Sequence, residues 1–541
     1  MRYSNLVSVV SLLWVSQSSC QASNAFQKFF GIQSTNSHSH SESVFLEHDY
    51  VNGGLANEVH YSELHTSDWP IELTQYTTDM VIRVDFSENK RFKEYLLLNK
   101  HQKESRAESD ISFKVWAKSE TNSYIDLQID EENFIALIEK FSTKERELSY
   151  EVLIEDLAQK IFESYPAPVV QSNDYDEDNI RTLAQSAAWN KWTAKSSVEN
   201  EELERAYTTA KQDPSMVNML SYSELFFKDY RPLDSIEAWL DLLVQTFPNL
   251  LSIEEIGTTY EHRTYKVVHF SANPPDDGSD HERKKTVVIT GGVHAREWIS
   301  VSSVCYTMYE MLQYYAEHPE EHGMLDQLDF LFIPVLNPDG YVYSWLHDRL
   351  WRKNRQETTY PKCFGIDIDH SYDFHWTKSS DWPCGEEYSG EVPFEAIESR
   401  IWEEFLNTTN HNHEIHGYID LHSYSQEILY PYAFSCQQSP RDEENLIELA
   451  YGISKAIRLQ SGKNYQVLPA CVDKDSDLLP DLGSGSALDY MYHHKAYWAY
   501  QLKLRDSGSH GFLLPGKYIE PVGKEVYAGI RYFCSFILRD D

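Results

Sequence analysis

The sequence predicts an α/β fold with a central mixed, largely parallel sheet and helices on both faces, preceded by a small α+β unit. From Leu220 to the C-terminus, short apolar runs alternate with longer amphipathic runs, as in sheets whose strands are joined by helices. A polar, acidic stretch between about Tyr165 and Ser215 separates this region from an earlier one with its own strand and helix patterns. The length of 541 residues allows more than one domain.

The first 22 residues are predicted to be a secretory signal peptide. A positive charge at Arg2 precedes an apolar run from Leu6 to Val15, and small residues follow through Ala22. The less favoured alternative is a buried strand or short helix. The run is too short to span a bilayer, and no later run reaches that length. We therefore expect a protein of the secretory pathway, in the vacuole or secreted, in which Asn407 of Asn-Thr-Thr accepts a glycan where it is exposed.

The small α+β unit precedes the polar stretch. Alternating apolar residues at Met80–Phe86 and Phe113–Ala117 predict strands, and helical apolar spacing over Glu131–Phe141 predicts a helix. The predicted segments are the signal peptide (1–22), a disordered Ser/His-rich leader (23–66), the α+β unit (67–165), a linker (166–215) and the main domain (216–541).

The main domain contains the alternating elements of the predicted sheet. Strands are predicted at Val287–Thr290, Phe330–Val335, Ile415–Leu421 and Trp498–Leu504. Helices are predicted at Ser300–Tyr315, Phe394–Leu406, Asn445–Ser461 and Lys524–Leu538. The chain has 47 basic and 85 acidic residues and a net charge of −38, which argues against non-specific binding of nucleic acid.

Three residues in two distant stretches predict a zinc site. His294 and Glu297 directly follow the apolar run Thr286–Thr290, and His422 follows the run Ile415–Leu421. Ligands in such sheets lie beyond the carboxyl ends of the strands, so these side chains can meet there. Two imidazoles and one carboxylate leave a fourth position of a zinc ion open, which is typical of catalytic zinc. The sequence therefore predicts one zinc ion held by these three residues.

Further motifs around this site resemble those of the funnel-type zinc carboxypeptidases, from roughly Leu220 to the C-terminus. These flanking residues favour a zinc site over a solvent-exposed His and Glu at the same spacing. The resemblance implies a carboxypeptidase-like fold, and it makes the small α+β unit a pro-segment, which assists folding and inhibits such enzymes. The matching blocks are His294–Trp298, Asp339–Tyr341, Arg349–Lys353, Asp420–Gln426 and Leu504–Pro515.

The resemblance also implies roles for residues around the metal. The three zinc residues match the family's ligands, and zinc would polarise the scissile carbonyl and activate its bound water. Arg352 matches the arginine that stabilises the oxyanion, with a surface basic run as the alternative. Arg296, Ser423 and Tyr424 match residues that line the substrate cleft.

The general base of the family is replaced. Active relatives carry a glutamate two residues before an Arg-Asp pair, and Lys503 occupies that place here. The glutamate accepts a proton from the zinc-bound water, whereas a lysine at neutral pH already carries its proton and has no lone pair. Asp506 is not expected to substitute, because residues 503 and 506 of a strand point to opposite faces.

The clamp for the substrate's C-terminal carboxylate is also altered. Asp369 and His370 stand where the family carries an Asn-Arg pair. His370 lacks the permanent bidentate charge of arginine, and Asp369 adds a charge that repels a carboxylate. The family's mobile tyrosine is not evident, and Asp481 falls near its place.

Together these substitutions predict an inactive, zinc-binding, carboxypeptidase-like protein. Within the family the resemblance is to fungal inactive carboxypeptidase-like proteins associated with cell-wall biogenesis. This implies a non-catalytic role in wall organisation, with a peptide or protein ligand that is not identified. Two alternatives remain open: an active carboxypeptidase with an unusual base or substrate, and a structural protein in which zinc serves folding.

Cysteine pairing follows from the predicted compartment. If Cys20 leaves with the signal peptide, six cysteines remain, and an even number in a secreted protein favours disulfides. The resemblance implies Cys363–Cys384 and, less strongly, Cys436–Cys471, and the apolar helical surroundings of Cys305 and Cys534 predict buried thiols.

Overall fold

The computed structural model describes residues 71, 73–102, 111–119, 121–142, 147–166, 198–272, 284–318, 323–409, 413–473 and 483–539. The predicted signal peptide and leader lie outside the described residues, as do residues 167–197 of the predicted linker. The described residues belong to one compact unit that runs from Val59 to Asp541.

The predicted pro-segment contains a four-stranded antiparallel sheet with helices. The strands are β1 (Asp79–Asp85), β2 (Lys114–Ser119), β3 (Tyr124–Asp130) and β4 (Tyr150–Ile154), in the order β2-β3-β1-β4. The helices are α1 (Lys90–Gln102), α2 (Glu131–Phe141) and α3 (Leu157–Ser164). The predicted strands and helix are thereby confirmed as β1, β2 and α2. The Asp130 carboxylate caps α2 by accepting from the backbone N–H of Asn133 at 2.9 Å.

The end of the predicted linker is helical. Residues 198–212 form α4 (Val198–Gln212), whereas the sequence analysis assigned them to the linker. Leu203, Ala206, Tyr207 and Ala210 fall at helical spacing and pack against the core, although acidic and polar residues surround them in the sequence. This apolar stripe of α4 is narrow, so the polar composition of the stretch favours a linker over a helix. Helices α5 (Met216–Phe226) and α6 (Leu233–Thr246) follow.

The main domain is built on an eight-stranded mixed sheet, counted over the described residues. Its strands are β5 (Leu251–Thr258), β6 (Thr264–Phe270), β7 (Lys285–Gly291), β8 (Leu328–Ile333), β9 (Glu414–Ser423), β10 (Glu427–Tyr430), β11 (Gln466–Pro469) and β12 (Trp498–Leu504). The order is β11-β10-β12-β9-β7-β8-β6-β5. Strands β12, β9, β7 and β8 are parallel, and antiparallel pairings join β10 and β6 to them. The predicted mixed, largely parallel sheet is confirmed.

Helices cover both faces of this sheet. They are α7 (Trp298–Glu317), α8 (Pro338–Leu346), α9 (Ile397–Thr409), α10 (Glu443–Ser461), α11 (Ala487–His494) and α12 (Ile519–Ile537). Gly417 in β9 lets α12 approach closely, because a Cβ there would lie 2.6 Å from the ring of Phe533. On the described residues, no helix has the length and apolar character needed to cross a bilayer.

Part of the predicted pro-segment packs into the hydrophobic core of the main domain, whereas its small sheet and helices also enclose a separate core. Ile161 and Tyr165, at the end of the pro-segment, belong to the same buried cluster as Trp298 and Trp345 of the main domain. The Tyr165 ring meets both tryptophans edge-on, at centroid distances of 5.3 and 5.6 Å. Its hydroxyl donates to the carbonyl oxygens of Ser344 and Trp345 at 3.3 and 3.0 Å. The pro-segment is therefore part of the folded unit.

Candidate metal centre and substrate cleft

The proposed ligands meet at the carboxyl ends of two neighbouring parallel strands. His294 and Glu297 lie in the turn between β7 and α7, which is held by a hydrogen bond from the backbone N–H of Gly292 to the Ser300 hydroxyl. His422 lies near the end of β9, which pairs with β7. The sheet thus brings together residues more than 120 positions apart in the sequence.

The geometry of the three side chains fits a metal ion. The Nδ1 atoms of His294 and His422 lie 3.3 Å apart, and each faces one oxygen of Glu297, at 2.9 and 3.2 Å. All three residues are buried. Two imidazole nitrogens and a carboxylate that converge on one point form the donor set that zinc prefers.

Two further carboxylates hold the opposite nitrogens of the rings. His294 Nε2 lies 3.2 Å from Asp367 Oδ1, and His422 Nε2 lies 3.0 Å from Asp420 Oδ2. Such carboxylates fix the orientation of ligand histidines and strengthen metal binding. Neither role is among the predictions from the sequence. Asp420 was detectable, because residues two apart on a strand share a face, whereas Asp367 gave no such signal.

The electrostatics of the cluster follow from burial and these carboxylates. Burial lowers the pKa of both histidines, but neighbouring carboxylates outweigh it and raise the pKa of His294 and, more strongly, that of His422. Burial raises the pKa of Glu297, but the two histidines outweigh it and lower the pKa. Because a metal ion must displace protons from the rings, we expect its binding to strengthen as pH rises.

Arg352 lies beside the metal site but is engaged by a carboxylate. Its Nε and Nη2 atoms donate to Asp367 Oδ2 at 3.2 and 2.8 Å. Asp367 therefore links Arg352 to His294. The oxyanion role of Arg352 stays a prediction, and its guanidinium is bound within the protein.

Lys503 lies between a predicted metal ligand and a new acidic partner. On β12 it pairs in register with His422 of β9 on one side and with Glu427 of β10 on the other, so the three share one face of the sheet. The Lys503 ammonium lies 3.2 Å from Glu427 Oε2. An ammonium paired with a carboxylate cannot accept the proton of a metal-bound water. The sequence analysis did not identify Glu427.

Asp506 does not replace the base, but the reason differs from the predicted one. Strand β12 ends at Leu504, so Asp506 lies in the following loop and strand alternation does not apply. Its carboxylate accepts from the backbone N–H groups of Gly508, His510 and Gly511 and contacts the His510 ring. It organises the loop.

The altered clamp residues are buried and bonded within the protein. Asp369 and His370 lie in a 3₁₀ turn (Ile368–His370). Asp369 accepts from the backbone N–H of Ala487 and from Gln501 Nε2, each at 3.3 Å, and His370 Nδ1 lies 3.3 Å from the Ser484 carbonyl oxygen. Neither residue carries a guanidinium that could bind a carboxylate. Asp481 lies outside the described residues.

The remaining predicted cleft residues are buried and bonded within the protein. Arg296 forms an ion pair with Glu386 at 3.1 Å and stacks over Phe512. The backbone N–H of Ser423 donates to Glu297 Oε2 at 3.1 Å. The Tyr424 hydroxyl donates to Asp126 of the pro-segment at 2.7 Å. Each of these predicted cleft residues is therefore bonded to another group of the protein.

The pro-segment covers the cleft through a charged contact and an aromatic one. Arg83 of β1 donates to both oxygens of Asp126, at 2.7 and 2.8 Å, and also to the Ser507 carbonyl oxygen at 2.7 Å. Trp116 of β2 packs against Phe512 and Tyr424. These contacts place the small sheet directly over the predicted cleft residues.

The structure contains both expected disulfides, Cys363–Cys384 and Cys436–Cys471. Cys305 and Cys534 are buried free thiols, as predicted. Asn407 is exposed near the end of α9, so the predicted glycan acceptor is accessible.

A buried glutamate in the first turn of α9 predicts a pH-dependent stability. Burial raises the pKa of Glu398 from 4.5 to about 7, despite a hydrogen bond from Asn354 at 2.7 Å. The folded state therefore keeps a proton that the unfolded state releases, and stability falls as pH rises from about 4.5 to 7. We expect Glu398→Gln to raise the free energy of unfolding by up to about 3 kcal/mol at pH 8 and to leave it nearly unchanged at pH 4.

Urea unfolding of both chains at pH 4, 6 and 8 measures this difference. A gain of the same size at every pH would contradict the assigned titration.

Comparisons with known proteins agree with the fold. Residues 236–529 match the family model described as zinc carboxypeptidase. The chain is 59% identical over 315 residues to the inactive metallocarboxypeptidase ECM14 of Saccharomyces cerevisiae, covering 58% of this chain and 73% of that protein. It is 36% identical over 432 residues to the inactive metallocarboxypeptidase of that name in Sclerotinia sclerotiorum, covering 78% and 68%.

Solved structures show the same fold. The crystal structure of thrombin activatable fibrinolysis inhibitor superposes with a TM-score of 0.64 at 22% identity, covering 86% of this chain and all of that chain. The carboxypeptidase A of Helicoverpa armigera gives a TM-score of 0.63 at 22% identity, covering 86% and 99%. Each of the two superpositions covers a larger share of this chain than the main domain alone.

Proposed function

Because this chain belongs to the zinc carboxypeptidase family, we propose that it is an inactive member that keeps the metal site and has lost hydrolysis. The observation that carries the proposal is Lys503, which stands beside His422 and is paired with Glu427. Loss of a positioned general base costs about 10²–10⁴-fold in rate. The relatives named above as inactive metallocarboxypeptidases support the proposal.

The proposed cofactor is zinc, held by His294, Glu297 and His422. Zinc would supply Lewis-acid polarisation of a carbonyl and activation of water. The chain's own residues limit that chemistry, because Arg352 is paired with Asp367 and Lys503 with Glu427. What remains is a metal-stabilised cleft, and its proposed ligand is a peptide or protein.

The proposed setting is the secretory pathway, in the vacuole or outside the cell, with a role in cell-wall organisation. The predicted signal peptide and the two disulfides support it, since disulfides persist in oxidising compartments. A second candidate is a structural protein in which zinc stabilises the fold. The burial of the cleft residues beneath the pro-segment favours that candidate, because it limits access to the metal.

The proposal is tested by measuring zinc content and release of C-terminal amino acids on one sample. The full chain and a chain cut at a protease site introduced within 167–197 are incubated with peptides that end in acidic, basic and apolar residues. We expect bound zinc and no release from either form. An active carboxypeptidase on the same peptides is the positive control.

Release that chelation abolishes, and that a Glu297→Gln variant also lacks, would overturn the proposal in favour of an active enzyme with another base. Zinc that is bound without turnover, together with unfolding on its removal and no detectable peptide binding, would favour the structural candidate.

A further inference from the structure

A second cluster of metal-ligating groups lies behind the proposed zinc site. Ligand atoms of Asp369, Asp420 and His422 lie within 4.8 Å of one another, and all three side chains are buried. His422 directs Nδ1 toward Glu297 and the opposite nitrogen, Nε2, toward Asp420. One imidazole therefore stands between the two clusters.

Asp369 has only weak neutral contacts, whereas Asp420 contacts a hydroxyl and the His422 ring. Asp369 accepts two hydrogen bonds of 3.3 Å, from an amide side chain and a backbone N–H. Asp420 accepts from the Thr290 hydroxyl at 2.7 Å. Within the described part of the chain, neither forms an ion pair with lysine or arginine, unlike Asp367, which is paired with Arg352. Burying a charged carboxylate without a nearby cation costs desolvation free energy.

An unpartnered amide oxygen at the same place is the second observation. Gln501 pairs in register with Asp420 on the neighbouring strand, and its Nε2 contacts Asp369. Its Oε1 atom is buried and has no hydrogen-bond partner among the described residues. An amide oxygen without a donor, on a side chain that contacts one of the two carboxylates, is suited to contact a cation.

The local charges do not balance with one metal ion. Four buried carboxylates surround the two histidines, and Arg352 with one Zn²⁺ supplies three positive charges against four negative ones. Asp369 is the carboxylate farthest from compensation, because it contacts neither Arg352 nor the Glu297 site in the described structure. The carboxylates are Glu297, Asp367, Asp369 and Asp420.

We infer that Asp369, Asp420 and the Nε2 nitrogen of His422 bind a second divalent metal ion, such as Zn²⁺ or Cu²⁺. One nitrogen and two carboxylate oxygens form a ligand set that zinc accepts, and the Gln501 side chain contacts Asp369 beside them. When the ion binds, a bond forms from metal to Nε2, the N–H bond breaks, and the proton passes to water. The inference rests on the proposed zinc site, because His422 is shared.

Counting metal ions in the full chain tests the inference. The chain is saturated with Zn²⁺ and desalted, and zinc per chain is measured by native mass spectrometry and elemental analysis. We expect two ions in the unsubstituted chain and one in Asp369→Asn, because asparagine keeps the shape and an acceptor oxygen but not the charge. Native charge states report whether the variant is folded.

The outcomes separate the two proposals. One ion in the unsubstituted chain overturns the second site and leaves the proposed zinc site intact, whereas no zinc overturns both. Two ions in a folded Asp369→Asn variant also overturn the second site.

A measurement on the unsubstituted chain keeps the inference testable if the variant does not fold. Two Cu²⁺ ions bridged by one imidazolate are magnetically coupled, so the copper-loaded chain should show less paramagnetic resonance signal than its copper content. A signal equal to the copper content would overturn the shared-histidine site.

Discussion

Replacing Tyr165 with alanine is expected to lower the free energy of unfolding by about 3–5 kcal/mol, the range for removing a large buried aromatic side chain. Tyr165 is buried against the stacked rings of Trp298 and Trp345, whose centroids lie 3.8 Å apart. Alanine leaves a cavity between the pro-segment and the main domain. Urea unfolding followed by tryptophan fluorescence measures the loss, because both tryptophans lie at the cavity.

Tyr165→Phe is the matched control. It keeps the ring and removes the hydroxyl, which donates to two backbone carbonyls, so we expect a loss of about 0.5–1.5 kcal/mol. A loss below about 1 kcal/mol for Tyr165→Ala would mean that the pro-segment contributes little to the stability of the main domain.

Replacing Glu297 with glutamine is expected to lower zinc affinity by more than about 100-fold. Removing a carboxylate that only holds a ligand histidine typically lowers metal affinity by about 10–100-fold, and Glu297 is itself a proposed ligand. The substitution keeps the side-chain shape but removes the negative charge that faces both Nδ1 atoms. Competition with a chromophoric chelator measures the dissociation constant. Asp367→Asn, which leaves the ligands intact, should fall within the 10–100-fold range.

Glu427→Gln is the control for this series. Glu427 is also a buried glutamate near His422, but it contacts Lys503 and is not a proposed ligand. Its substitution should change zinc affinity by no more than a few-fold. Unchanged affinity in Glu297→Gln would place the bound zinc at another site and contradict the assigned centre.

The parallel core of the main sheet was predictable because its strands are continuous apolar runs. Strand β12 was predicted with the bounds that the structure has, Trp498–Leu504. Helix α9 begins at Ile397, whereas the periodicity predicted a start at Phe394. Phe394 has φ of 57°, a left-handed conformation that an L-residue in an α-helix does not adopt, and apolar spacing does not reveal it.

Parts of the site depend on contacts that the sequence does not display. Local motifs predicted the three proposed zinc ligands and the replacement of the family's glutamate by Lys503. Asp367 reaches His294 across 73 positions, and the cross-strand pair of Lys503 with Glu427 requires knowledge of the strand order. Tertiary packing determines such positions. Strand β3, by contrast, was predictable, because Ile125, Leu127 and Ile129 alternate with polar residues, yet it is not among the predicted strands.

Because part of the pro-segment packs into the core of the main domain, it matters that the ribosome makes the pro-segment first. Without the pro-segment, the parts of Trp298 and Trp345 that Tyr165 covers would lose that cover, and exposed apolar surface favours aggregation. The ribosome makes the pro-segment first, and N-terminal parts of a chain begin to fold during synthesis. The pro-segment is thus made before the main-domain surface that it covers. A shortened gene product that begins after the pro-segment would leave the ribosome with that main-domain surface exposed.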